Sequence, residues 1–316
     1  MGPHGEGGIL GVAGSFGVGE RLAKRARGVE RRAVVTAYGS FDVVMGTIDG
    51  GRFAALEKSR AAPAAPHQIA YRGVALALHK AGATRILSTG VGTSLSERLK
   101  MGDILVPDDY IDLSGRTDTL YGGGIEGTHH AEMDEPFCSR TAREYAATAR
   151  SFGLRVIEGG TTATLAGPQH PTSAESGRLT SMGAVASGFT AATEAKLARE
   201  LGMCFVATIV MVRGAPEHAR WRGAAPPKGA AQEPTEQELL RAFAQGKSLS
   251  APLASAPKVP KPRRGRSKEA DEAEALVATL RQVDARLEEA AAAFVAQAAA
   301  LSPCTRCPRG AGPRPA

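Results

Sequence analysis

An α/β fold, with a central mixed β-sheet flanked by helices, is predicted by three features of the sequence. Between residues 9 and about 222, short apolar runs alternate with Ala-rich stretches of helical period, the pattern of strands separated by helices. The chain has 316 residues, 43% of them hydrophobic, which is enough to bury a substantial core. The first apolar run, Ile9 to Ala13, reads as an opening strand and passes into the Gly-containing turn Gly14-Ser15-Phe16-Gly17.

The later elements follow from the same periodicities. Strands are expected at Arg85 to Ser88, Asp103 to Val106, Leu154 to Glu158, Ala184 to Ser187 and Cys204 to Val212. Helices are expected at Gln68 to Lys80, Ser139 to Phe152, Pro171 to Met182 and Thr190 to Leu201. The sheet is then mixed or mostly parallel, because helices intervene between most of its strands. Residues 223–268 shift to Pro, Ala, Gln and Lys, which marks an insertion or linker, with one short helix around Glu236 to Ala244. In residues 269–301, Leu276, Leu280, Val283, Leu287, Ala290, Phe294 and Leu301 recur at spacings of three and four with charges between them. This is an amphipathic helix that packs on the body or on a neighbouring subunit, and residues 302–316 read as a flexible tail.

Composition narrows the function classes. No run of about eighteen apolar residues is present, and Met1 to Gly8 is Gly-rich and polar, so neither a membrane span nor a secretion signal is read and a cytoplasmic place is expected. The net charge of +7 is concentrated in Lys258, Lys261, Arg263, Arg264, Arg266 and Lys268, a Pro-containing solvated segment. No aromatic residue interleaves with these charges to stack bases, which argues against nucleic acid as the partner. Four cysteines, Cys138, Cys204, Cys304 and Cys307, are too few for a disulfide framework. Cys304 and Cys307 have metal-ligand spacing but lack a second pair, so no metal site is expected.

Three stretches carry a family resemblance. Ser88-Thr-Gly-Val-Gly-Thr-Ser-Leu-Ser-Glu-Arg-Leu-Lys-Met-Gly-Asp103, with Val106-Pro-Asp-Asp-Tyr-Ile-Asp112, is the longest. Glu135-Pro-Phe-Cys-Ser-Arg-Thr-Ala-Arg-Glu144 is the second, and Glu158-Gly-Gly-Thr161 through Gly188-Phe189-Thr190 to Glu200 is the third. In order and spacing they resemble the nucleoside phosphorylase family, in its 5'-methylthioadenosine and purine branches. The resemblance covers about residues 9–220 and extends to the helix at Ala275 to Phe294. It implies a single-domain, three-layer phosphorylase-type fold, a homotrimer, inorganic phosphate as co-substrate with no other cofactor, and cleavage of a nucleoside's N-glycosidic bond.

Phosphorolysis requires a dianion held below C1' of the sugar and a donor for the departing base, because charge changes at both ends. For phosphate, the resemblance implies Ser15 in the first Gly-rich turn, Gly90 and Thr93 in a second turn at Gly90 to Ser94, and Lys58 or Arg60 as replacement cations. Glu57 stands where the family carries a phosphate-gripping Arg, and a carboxylate there repels the dianion. For the sugar and base it implies Phe189, Thr190, His170 and Arg213, the last where the methylthioadenosine branch has a pair of Asp residues. Glu217 and His218 follow closely and are the candidate acids for the base. His130 matches a family His, with a structural or substrate-lining role, while Asp103, Asp112 and Glu175 read as scaffold residues. An altered base pocket implies a purine or modified nucleoside as substrate. Two other readings stay open: a catalytically silent nucleoside-binding homologue, and a nucleosidase that uses water, with Glu57 as its base.

Overall fold

Strand β1 (Ile9–Gly14) is buried at every position. A strand without a polar face needs cover on both sides of its sheet, and the fold supplies it. The computed structural model describes residues 8–14, 17–58, 65–123, 130–214, 268–298 and 300–301. Among them the remaining strands are β2 (Arg27–Thr36), β3 (Gly39–Ile48), β4 (Gly51–Glu57), β5 (Ala83–Ser94), β6 (Ile104–Val106), β7 (Asp109–Leu113), β8 (Val156–Glu158), β9 (Thr161–Leu165), β10 (Ala184–Gly188) and β11 (Cys204–Arg213). The helices are α1 (Val18–Arg25), α2 (Tyr71–Lys80), α3 (Ser139–Ser151), α4 (Ser173–Ser181), α5 (Ala191–Glu200) and α6 (Lys268–Ala298).

The sheet is mixed, as expected, and its order is β2-β3-β4-β1-β5-β10-β9-β7, with β11 on β5, β6 on β11 and β8 on β6. β1 lies parallel between β4 and β5. Alternate residues of β1 serve opposite layers. Ile9 and Ala13 face a core built with Val74 and Leu78 of α2 and Ala195 and Leu197 of α5. Leu10 and Val12 face the other core, built with Leu22 of α1, Tyr145 and Ala149 of α3, and Leu287 and Phe294 of α6. The result is three layers, helices on both faces of one sheet.

The C-terminal amphipathic stretch packs on the body through this second layer. Phe294 meets Tyr145 edge-on at 5.3 Å between ring centres, and Asp284 accepts from the Arg21 guanidinium at 3.1 Å. Its backbone lies so close to β4 that a Cβ on Gly51 would stand 2.0 Å from the Val295 carbonyl oxygen. The expected insertion at 223–268 (save Lys268, which opens α6) and the tail at 302–316 lie outside the described residues, as do Cys304 and Cys307.

Two expectations are corrected. Residues 27–57, for which the sequence pattern yields no element, form the meander β2-β3-β4, with the antiparallel pairs β2·β3 and β3·β4. The sequence signal is weak because β2 is an edge strand exposed along most of its length, so charges and short apolar residues replace a clean alternation. The Gly90-to-Ser94 stretch is not a turn but the end of the twelve-residue strand β5. Its glycines serve close strand approach: a Cβ on Gly92 would come 2.7 Å from both the Ser187 carbonyl oxygen and Ile209 Cγ2.

Candidate functional site

The sheet divides along β5, and the division creates the site. One edge of β5 pairs with β1 as far as Ser88 and resumes with β10 at Thr93, while β11 follows the other edge. Over residues 89–92 the first edge therefore has no strand partner among the described residues. The C-terminal ends of β1, β4 and β5 open at this gap. In sheets of this kind, ligands bind where neighbouring strands part, because backbone groups there are free of the ladder.

Lys58 marks the floor of the gap. Its backbone N–H donates to the Gly14 carbonyl at 2.8 Å, and its side chain is buried. Nζ donates to Ser88 Oγ at 2.7 Å and to the Thr89 carbonyl at 2.8 Å. It also lies 2.8 Å from Glu194 Oε1 in an ion pair, and Ser88 Oγ in turn donates to Glu194 Oε2 at 2.7 Å. An ammonium has three donors, and here three acceptors surround it. Lys58 is therefore occupied in holding β4, β5 and α5 together rather than standing free as a replacement phosphate cation. Ser88 and Glu194 were not singled out from the sequence. The available signal was a Glu in the first turn of an otherwise Ala-lined helix, where only a buried cation makes such a carboxylate tolerable.

Glu57, next to Lys58, turns its carboxylate toward the start of α1. Oε2 accepts the Gly17 N–H at 3.3 Å, with Gly17 in the left-handed region at φ 69°. Burial pushes its pKa above the ordinary 4.5, against the opposing pull of the Gly17 and Gly19 N–H groups and of Arg21 and Lys58.

Above the gap sit Phe189 and Thr190, both half-buried, at the N-terminus of α5. A Cβ on Gly90 would stand 3.8 Å from Thr190 Oγ1, in ordinary van der Waals contact, so Thr190 lies directly over the strand at Gly90. His170 joins this group: Nδ1 is 3.1 Å from Thr93 Oγ1, and its ring centre is 5.6 Å from that of Phe189. Arg213, at the end of β11, is exposed and lies opposite Thr93 in the strand register.

Arg116 orients the platform, and the sequence reading missed it. It donates through Nη1 to the Phe189 carbonyl at 2.7 Å and through Nη2 to the Ala166 carbonyl at 2.6 Å. Its guanidinium also lies 5.2 Å from the centre of the Tyr71 ring. Tyr71 donates its hydroxyl to the Pro66 carbonyl at 2.8 Å, and burial raises its pKa far enough to keep the phenol neutral. One cation thereby ties together the segments at 66–71, 166 and 189.

The structure thus brings together Lys58, Gly90, Thr93, His170, Phe189, Thr190 and Arg213. Ser15, Arg60, Glu217 and His218 lie outside the described residues, as does His129. His130 is exposed. Asp103, Asp112 and Glu175 are scaffold groups: Asp103 accepts the Lys100 N–H and pairs with Arg155, Asp112 pairs with Lys196, and Glu175 completes a capping box with Thr172 at the start of α4. No cluster of three or more metal-ligating side chains exists among the described residues.

Residues 10–247 match the family model described as the phosphorylase superfamily. The S-methyl-5'-thioadenosine phosphorylase of Pyrococcus furiosus is 36% identical over 203 residues, 63% of this chain and 75% of that protein. That of Geobacter sulfurreducens is 33% identical over 202 residues, 62% of this chain and 69% of that protein. Among solved structures, the methylthioadenosine phosphorylase of Schistosoma mansoni in complex with adenine aligns with a TM-score of 0.59 at 27% identity, over 65% of this chain and 81% of that one.

Proposed function

Because the chain belongs to the phosphorylase superfamily, we propose that it cleaves the N-glycosidic bond of a purine or 5'-methylthioadenosine-like nucleoside with inorganic phosphate. The observation that carries this reading is the gap along β5, which sets a polar strand end beneath a platform of Phe189, Thr190 and His170.

In this reading the sugar lies on Phe189, with Thr190 in hydrogen-bonding reach of its hydroxyls, and the base extends toward His170 and Arg213. A phosphate oxygen attacks C1' from the strand-end side, the C1'–N9 bond breaks, and its electron pair leaves with the base. The base then takes a proton, for which Glu217 and His218 are the candidate donors. Positioning the phosphate under C1' supplies much of the rate by removing the entropy cost of encounter. Lys58 acts through the Glu194 and Ser88 network, fixing the strand end and the first turn of α5 relative to each other. Arg116 is a second positioning residue, through the Phe189 carbonyl. Phosphate is the co-substrate, and the reading calls for no other cofactor. A homotrimer, a cytoplasmic place and a role in purine salvage belong to the same proposal and rest on the family resemblance. Light scattering after size-exclusion chromatography tests the trimer.

The experiment is a nucleoside panel of 5'-methylthioadenosine, adenosine, inosine and guanosine, incubated with and without phosphate, with released base measured by chromatography. Base release that depends on phosphate and yields a sugar 1-phosphate supports the reading. Release at the same rate without phosphate refutes phosphorolysis, and saturable nucleoside binding with no release refutes catalysis.

A further inference from the structure

Side chains alternate along a strand, and alternation alone would send Arg213 into the core. Ile209 and Met211, on the same alternation of β11, both lie in the cluster with Ala195 and Leu197 of α5. A β-bulge prevents this. Met211 stands opposite Gly92 of β5 and Arg213 opposite Thr93, so β11 fits one extra residue, Val212, into that step of the ladder. Register partners in a parallel pair project from the same face of the sheet. Arg213 therefore leaves the sheet on the face that carries Thr93, and it is exposed there.

Thr93 holds His170 on that face. Thr93 is 3% exposed, and a buried hydroxyl hydrogen needs an acceptor. His170 Nδ1, 3.1 Å from Thr93 Oγ1, supplies one. An imidazole that accepts at Nδ1 carries its proton on Nε2, on the far side of the ring from Thr93. The Phe189 ring backs His170 at 5.6 Å between ring centres and an interplanar angle of 52°. Arg213 adds a guanidinium, which has five N–H donors and no acceptor. The two groups that this strand end presents to a base are therefore both donors.

We propose that Arg213 and His170, the latter set by Thr93, make this protein select 6-oxopurines over 6-aminopurines. The inference rests on the phosphorolytic reading above and names the base class of that same site. A 6-oxopurine shows two neighbouring acceptors, O6 and N7, along one edge, whereas a 6-aminopurine shows the N7 acceptor beside an amino donor. Donors from Arg213 and His170 satisfy O6 and N7. The amino group of a 6-aminopurine meets a donor there instead and is left without a partner. One such matched pair on a base edge discriminates by about ten- to a hundredfold.

The probes are the free bases hypoxanthine and adenine, titrated by calorimetry into the unaltered protein, Arg213→Gln and Thr93→Val. The unaltered protein should bind hypoxanthine about ten- to a hundredfold more tightly than adenine. Gln offers an acceptor beside a donor, the match for a 6-amino edge, so Arg213→Gln should level or reverse the preference. Arg213 is exposed, so this variant alters recognition without disturbing the core. Thr93→Val keeps the shape and removes the hydroxyl. The His170 proton, read by proton–nitrogen correlation NMR, should then lose its fixed place on Nε2, and hypoxanthine affinity should fall while adenine affinity holds. Equal affinities or an adenine preference in the unaltered protein overturn the proposal, as do an unchanged preference in Arg213→Gln and binding of neither base. A His170 tautomer unchanged in Thr93→Val overturns the part given to Thr93, and if that variant fails to fold, Arg213→Gln decides alone. The two readings fail separately. A hypoxanthine preference without phosphate-dependent base release strikes the proposed function alone, whereas phosphate-dependent release from adenosine ahead of inosine strikes this inference alone.

Discussion

Replacing Lys58 with Met removes the ammonium that pairs with Glu194 and leaves that carboxylate in the core. The Lys58 and Glu194 side chains are 1% and 8% exposed, so solvent screening offers little relief, and among the described residues Ser88 is the side chain that still donates to Glu194. Breaking a buried ion pair from one side costs about 3–5 kcal/mol, because the stranded charge keeps its full desolvation penalty. At roughly 2 °C per kcal/mol for a chain of this size, the melting temperature should fall by about 6–10 °C. The assay is thermal and guanidinium unfolding of both proteins at one protein concentration, since assembly shifts apparent stability. Adding Glu194→Gln to the Met variant should restore part of the loss, as a neutral amide is cheaper to bury than an unpaired carboxylate. The Glu194 N–H also donates to the Thr190 carbonyl at 3.1 Å, so the single variant should raise the KM for nucleoside. A loss below about 1 kcal/mol, the range of exposed pairs, would refute the argument that this network is closed to water and holds the site.

Three further outcomes are expected. Gly51→Ala drives a methyl group into the Val295 carbonyl, so denaturant unfolding should show a loss of about 1–3 kcal/mol from overpacking; an unchanged midpoint would place α6 elsewhere. Glu57 has its pKa raised above the ordinary 4.5 by burial, so the folded state holds its proton more tightly than the unfolded chain and stability falls as pH rises from 4.5 through the raised value. Glu57→Gln should therefore be more stable than the unaltered protein at neutral pH and indistinguishable below about pH 4.5 in melting experiments; a less stable variant at neutral pH would reverse that sign. Arg116→Lys cannot make both the Phe189 and Ala166 contacts in one plane, so steady-state kinetics should show a nucleoside KM raised by roughly tenfold, about 1.4 kcal/mol, with the phosphate KM little changed.

The architecture was legible where the chain is buried on both faces. β1, β11 and the helices α2, α3 and α5 announce themselves by uninterrupted apolar runs or by helical period, since burial leaves few residue types to choose from. β2 was silent for the converse reason: its side chains mostly face water, and water tolerates almost any residue.

The site divides along the same line. Sequence by itself identified Thr93, His170, Phe189 and Thr190 as candidates, because motif order along one chain survives folding. It also determined that an acid, Glu57, and a base, Lys58, are neighbours in the chain. Only the tertiary structure decided what those two charges do. Adjacent residues in a strand point to opposite faces, so Lys58 goes into the core to meet Glu194, 136 positions away in the chain, while Glu57 turns to the start of α1 and takes the N–H of Gly17. The energy of a charge is set by its neighbours in space, and for both residues those neighbours come from distant parts of the chain.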